Sequence, residues 1–159
     1  MSDVGWKKHL RDNFPTMDVE KFSAEARQYV VDNLVVKYMP GAEELVKFLR
    51  EKGVKLAIAS GSSQESIKHH LAEVGGTHYF DAIVGGADIK NGKPAPDIFL
   101  LAAEKIGAKP EDCYVLEDSP NGIRAGFAAG MKAIGVPDIA QFTDEIKALE
   151  TAEYKSMFE

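Results

Sequence analysis

Cysteine and tryptophan occur once each among the 159 residues, histidine four times, and each scarcity removes a class of chemistry. One cysteine closes no internal disulfide, which suits a reducing cytoplasm. Cys113 sits inside the apolar run Cys-Tyr-Val-Leu and reads as a small buried hydrophobe rather than a ligand or nucleophile. His69 and His70 are neighbours on an expected helix and face different sides, so they make no zinc pair. No apolar run approaches the roughly 20 residues that a membrane span needs. The N-terminal Met-Ser-Asp-Val-Gly-Trp-Lys-Lys-His lacks the apolar centre of a signal peptide, and a cytoplasmic location without membrane attachment is expected. Positive charge is also short. Lys plus Arg number 19 against 25 Asp plus Glu, a formal charge of -6, which gives no basic face for a nucleic-acid backbone. Several motifs are missing as well. No Gly-x-Gly-x-x-Gly follows an apolar run, and no Gly-x-Ser-x-Gly elbow surrounds Ser60. The loop from Gly86 to Lys93 departs from a Walker A in its glycine spacing and in Pro94, which stands where a Ser or Thr belongs.

What is present is a change of rhythm. Up to about Val36, Trp6, Leu10, Phe14, Phe22, Ala26, Tyr29, Val30 and Leu34 recur at helical spacing, interrupted at Phe14-Pro15-Thr16, which predicts two amphipathic helices. After Met39-Pro40-Gly41 a third helix carries Leu45, Val46, Phe48 and Leu49 and stops at Lys52-Gly53. Short apolar runs then alternate with helical stretches. Leu56–Ser60, Ala82–Gly85, Cys113–Leu116 and Ala133–Val136 lack polar alternation, as expected of parallel strands covered on both faces. Helices are expected from about Gln64 to Val74, after Pro94-Ala95-Pro96, and through Ile123, Ala125, Phe127 and Ala128 to Gly130. Strands alternating with helices predict βαβ units in a parallel sheet with helices on both faces. From Asp138 to Glu159, Phe142, Ile146, Leu149 and Tyr154 predict one or two covering helices.

Ligands of such sheets sit outside the carboxyl ends of the strands, so the residues just after each run matter most. They are Ser60-Gly61-Ser62, Lys93 at the end of a loop, and Glu117-Asp118-Ser119. Taken singly, a Ser-Gly-Ser turn is more often a helix cap, a lone lysine a solvated cation, and two acids a solvated turn with Asp118 or Ser119 capping the next helix. Together they supply hydroxyl, backbone N–H, ammonium and carboxylates on one rim. A hydroxyl and a lysine can hold a phosphate, while a carboxylate pair can hold a magnesium ion. Phosphoryl transfer draws on that mixture around its peripheral oxygens.

Ser60 after Leu-Ala-Ile-Ala, Lys93 in Gly-Lys-Pro-Ala-Pro-Asp-Ile-Phe, and Glu117-Asp118 in Val-Leu-Glu-Asp-Ser-Pro-Asn-Gly-Ile-Arg-Ala-Gly resemble three successive motifs of the haloacid dehalogenase superfamily. The similarity is to its sugar-phosphate phosphatases and beta-phosphoglucomutases, and it runs from Met39 to Pro137. The resemblance implies a Rossmann-like α/β core over residues 39–159 and a partial helical cap over 1–38. It implies a magnesium-dependent phosphatase or phosphomutase acting on a small phosphorylated metabolite. Ser60 and the Gly61 N–H would bind the transferred phosphoryl group, Lys93 would neutralise it, and Asp118 would coordinate Mg2+ with support from Glu117. Asn121 is a looser candidate nearby.

One family motif has no counterpart. The resemblance implies a nucleophilic aspartate in Asp-x-Asp-Gly-Thr on a first strand, followed two residues on by an acid/base aspartate. No Asp-x-Asp occurs in the chain, and Asp3 precedes a helix instead of following a strand. The family's first strand would lie between the strands ending at Ser60 and Leu116, so its loss would leave two ladder edges unpaired. Three expectations follow, in this order: an N-terminally shortened enzyme that is inactive alone, a half completed by a second chain that supplies the strand, and a phosphate-binding pseudoenzyme. Retention of Lys93 beside Glu117 and Asp118 favours an active parent.

Overall fold

A computed structural model describes residues 3–138 and 140–157 of the protein. The side chains of residues 3–6 and 31, Asp3 and Trp6 among them, lie outside the described residues, as do Met1, Ser2, Ile139, Phe158 and Glu159. The chain divides into two compact units, Met1–Val36 and Lys37–Glu159.

The first unit is a pair of helices, α1 (Asp3–Asn13) and α2 (Val19–Asn33), broken where the sequence predicts. Asp18 caps α2 by accepting from the Lys21 N–H at 3.0 Å, satisfying an otherwise orphaned donor. Lys7 and Arg11 both reach Glu20, at 2.9 and 2.6 Å, and tie the helices together. These exposed pairs set geometry more than stability.

The second unit begins with α3 (Ala42–Glu51), which stops because Gly53 adopts φ +74°, a region that side-chain-bearing residues avoid. It continues through β1 (Ala57–Ala59), α4 (Gln64–Glu73), β2 (Ala82–Val84), α5 (Asp97–Ile106), β3 (Tyr114–Glu117), α6 (Pro120–Ala128) and β4 (Lys132–Gly135). The alternation is the βαβ order expected from the sequence, and every strand pairing is parallel. Beyond β4 come α7 (Asp144–Lys147) and β5 (Ala152–Glu153). The expectation of covering helices from Asp138 onward is therefore corrected. One helical turn forms, and the chain then pairs along the free edge of β4, with the Thr151 N–H donating to Ala133 O and the Tyr154 N–H to Gly135 O. Satisfying the β4 edge outweighs the local helical periodicity.

The strands form two separate sheets, β1-β2 and β3-β4-β5. Ala57 and Ala59 align with Ala82 and Val84, while Tyr114 through Glu117 align with Lys132 through Gly135. No ladder joins β1 to β3 among the described residues. The two halves are knitted instead by a common core: α5 lies on β1 and β2, α6 lies on β3 and β4, and the two helices touch. Ile98, Phe99, Ala102, Val84, Val115, Ala125 and Met131 make one buried cluster across both halves. Gly126 lets α6 close on the sheet, since a Cβ there would already be at 3.4 Å from the Cβ atoms of Ala133 and Val115.

Cover on the other face is incomplete. Val115 points into the core, but its neighbours Tyr114 and Leu116 are 58% and 39% exposed, and α3 buries none of its residues. The expectation that Cys113–Leu116 is covered on both faces is corrected accordingly. A strand with one open edge borders solvent that a sheet neighbour would otherwise exclude. Cys113 itself is partly buried, its thiol donating to Lys109 O at 3.2 Å, and burial raises its pKa.

Candidate active site

The carboxyl ends of β1 and β3 meet at Lys93. Its ammonium donates to Ala59 O at the end of β1, at 3.4 Å, and forms an ion pair with Glu117 Oε1 at the end of β3. It also lies over the Phe99 ring, 4.7 Å from the centroid. Lys93 and Glu117 retain only 20% and 8% of their side-chain exposure, so the pair is screened by little water. The sequence-predicted Lys93 and Glu117 are thus brought into direct contact, 24 residues apart in the chain.

Glu117 is held from a second side. Ser119 donates its hydroxyl to Glu117 Oε2 at 2.9 Å, and Ser119 Oγ itself accepts from the Gly122 N–H at 3.0 Å as the N-cap of α6. One hydroxyl therefore fixes both the helix start and the acid, with Pro120 in the first turn adding no unsatisfied donor. Gly122 packs against Glu117 so closely that a Cβ would overlap Oε2, Cδ and Cγ of that side chain. Gly122 does not stand among the sequence-predicted site residues, and Ser119 stands there only as a rim residue and helix cap. The Ser-Pro-Asn-Gly turn signals a cap, but nothing in the pattern signals that the cap carries the acid.

Asp118 is placed differently. It is exposed, without an ion-pair partner among the described residues, and lines a cleft of about 110 Å³ with Glu117, Met39, Leu116, Val136 and Met157. Asn121 is exposed on the first turn of α6. Of the two acids, then, Glu117 has both oxygens engaged and Asp118 has open ones. No group of three or more His, Cys, Asp or Glu gathers as a metal cluster among the described residues. A single open carboxylate at a strand end still suits a hard, largely hydrated cation, since Mg2+ is held through one or two carboxylates with water and phosphate oxygens completing its shell.

Ser60 lies just past β1, its N–H donating to Val84 O at 3.0 Å. Its hydroxyl oxygen accepts from the Ser62 N–H at 3.2 Å, which leaves the hydroxyl proton available to donate. The Gly61 N–H has no partner among the described residues, and no atom lies within 4 Å of where a Cβ would be. The Ser60 hydroxyl, the Gly61 N–H and the Lys93 ammonium thus sit along one rim as donors. Beside them, Asp88 accepts from Gln64 Nε2 and the Gly85 N–H, each at 2.7 Å, and the Gln64 bond first, then the Gly85 bond, hold its carboxyl below the usual range.

Comparison with known proteins gives the same direction. A family model for haloacid dehalogenase-like hydrolases matches residues 2–130. A phosphorylated carbohydrates phosphatase of Thermotoga maritima is 38% identical over 100 residues, 63% of this chain and 46% of that protein. A fructose-1-phosphate phosphatase of Escherichia coli is 46% identical over 81 residues, 51% of this chain and 43% of that protein. The chain spans less than half the length of these two curated relatives. Among solved structures, a putative beta-phosphoglucomutase of Thermotoga maritima superposes with a TM-score of 0.79 at 29% identity, covering 99% of this chain and 75% of that one.

Proposed function

The chain belongs to the haloacid dehalogenase-like hydrolases, and from that premise we propose that it is the phosphate-binding side of a magnesium-dependent phosphatase or phosphomutase for a small phosphorylated metabolite. Its nucleophile comes from an extended segment outside these 159 residues, seated between β1 and β3. The observation that carries this reading is Lys93, which spans from the end of β1 to the end of β3, two strands that no ladder joins among the described residues.

The Ser60 hydroxyl and the Gly61 N–H donate to phosphoryl oxygens, and Lys93 offsets their charge while Glu117 and Phe99 hold its ammonium in place. Asp118 would hold Mg2+, whose charge, when bound, offsets the repulsion between substrate phosphate and the acids of the rim. An aspartate on the inserted segment attacks phosphorus, a P–O bond to the leaving group breaks, and the leaving oxygen takes a proton from the segment's second aspartate. Water then attacks the aspartyl-phosphate, passes a proton to the second aspartate, now ionised, and releases inorganic phosphate with the first aspartate as its carboxylate. Two unpaired parallel edges offer the segment its backbone partners.

The test is magnesium-dependent hydrolysis of p-nitrophenyl phosphate by the chain alone and with a synthetic peptide bearing Asp-x-Asp-Gly-Thr on an apolar strand. The chain alone is expected to be silent and the peptide to restore turnover. Turnover without peptide would overturn the missing nucleophile. A silent mixture in which phosphate still raises the melting temperature would favour the second reading, a phosphate-binding module without turnover, for which the open donors at Ser60 and Gly61 suffice.

A further inference from the structure

The two loops that would hold phosphate are pressed together, backbone on backbone. The Gly86 N–H donates to Ser62 O at 2.9 Å. A Cβ on Gly85 would sit 2.8 Å from Gln64 N and 2.9 Å from Ser62 O, and one on Gly86 would collide with Gly61 O. No side chain fits between them, so the spacing of the Ser60–Ser62 turn from the start of the β2–α5 loop has almost no slack. Asp88 closes this contact. One carboxylate oxygen, Oδ2, collects the Gly85 N–H from its own loop and the Gln64 amide from the first turn of α4, which begins just after the Ser60 turn. The far end of the same loop is pinned independently, Asp97 accepting from Asn91 N–H and Nδ2 at 3.2 and 3.0 Å. Between the two pins the loop delivers Lys93 to Ala59 O and Glu117.

We propose that Asp88 is a positioning residue that registers the Ser60–Gly61–Ser62 turn against the loop carrying Lys93, through Gln64 on one side and Gly85 on the other. This rests on the reading of those two loops as the phosphate side of the site. In this role Asp88 acts through Gln64 and Gly85 and not on phosphate itself. It sets the separation between the hydroxyl and amide donors on one loop and the ammonium on the other, which a tetrahedral dianion must match on both sides at once.

The experiment follows amide hydrogen exchange at Gly86, whose N–H spans the two loops, in the wild type, Asp88→Ala and Asp88→Asn, with Val115 and Ala133 amides as remote references. Binding of inorganic phosphate is titrated on the same samples. Asp88→Ala is expected to speed Gly86 exchange about tenfold more than that of the references, and to weaken phosphate about tenfold, with a small fall in melting temperature as the Gly85 N–H loses its acceptor. Asp88→Asn keeps an acceptor oxygen of the same reach and recovers most of the protection. Unchanged Gly86 exchange in Asp88→Ala would overturn the proposal, as would a rise shared equally by the reference amides. Absence of phosphate binding in the wild type would instead refute the phosphate reading of Ser60, while the exchange data still decide the role of Asp88.

Discussion

Gly122→Ala sets two physical effects against each other. Gly122 lies in α6 with helical φ, so an alanine there gains helix propensity of up to about 1 kcal/mol. Against this, the added Cβ would occupy the space of Glu117 Oε2, Cδ and Cγ. Glu117 can leave only by surrendering Lys93 and Ser119, and Lys93 is then left 20% exposed beside Phe99 without its counter-ion. Overpacking of this kind costs about 1–3 kcal/mol, so against the propensity gain the net expectation is a loss of up to about 2 kcal/mol. In urea that lowers the midpoint by up to roughly 1 M at unchanged slope. The same substitution made in a Glu117→Ala background meets no clash and is expected to stabilise. The cycle thus isolates a coupling of about 2 kcal/mol between the two positions. A stabilised Gly122→Ala in the wild-type background, or a coupling near zero, would refute the packing of Glu117 on α6 and with it the route by which the helix cap holds the Lys93 partner.

Other expectations follow from single contacts. Ser119→Ala removes the α6 cap and the donor to Glu117 together, costing about 1 kcal/mol of stability by urea titration and weakening inorganic phosphate binding, whereas Ser63→Ala, which removes the equivalent cap on α4, leaves the Glu117 side intact. Asp118→Asn abolishes any rise in melting temperature given by millimolar Mg2+ and leaves that given by phosphate alone, read by thermal unfolding. Asp81 accepts from the Leu56 N–H at 2.8 Å and from Arg50 at 2.7 Å, which hold its carboxyl below the ordinary 3.8. A depressed folded-state value means that this contribution is present above the unfolded value and lost as pH falls through the folded one. Asp81→Asn is therefore less stable at neutral pH, with its stability curve converging on the wild type below about pH 4.

How far the sequence discloses this site depends on the range of each interaction. The strand ends, the helix stop at Gly53 and the cap at Ser119 follow from residues within a few positions of one another, and they place Ser60, Lys93 and Glu117 on one rim. The direct pairing of Lys93 with Glu117 does not follow, because the β2–α5 loop between its pins at Asp88 and Asp97 decides where the ammonium arrives. Glu117 reads from sequence as a metal-facing acid, yet both its oxygens are engaged by neighbours that only the fold assembles. The β5 strand is hidden for the same reason. Thr151 and Tyr154 are set by the open edge of β4, a partner nearly twenty positions away, and not by local periodicity. The unpaired edges of β1 and β3 follow from the family resemblance and the absent Asp-x-Asp, since no short-range pattern encodes which strands lie side by side.

The most direct measurement locates the phosphoryl group. Chain and strand peptide are incubated with Mg2+ and p-nitrophenyl phosphate, quenched in acid, and each polypeptide is examined by mass spectrometry. The phosphoryl group is expected on the first aspartate of the peptide, to appear only when the chain is present, and to vanish when that aspartate is replaced by asparagine. A phosphoryl group on any residue of the 159-residue chain, or turnover that survives the peptide substitution, would contradict a nucleophile supplied between β1 and β3.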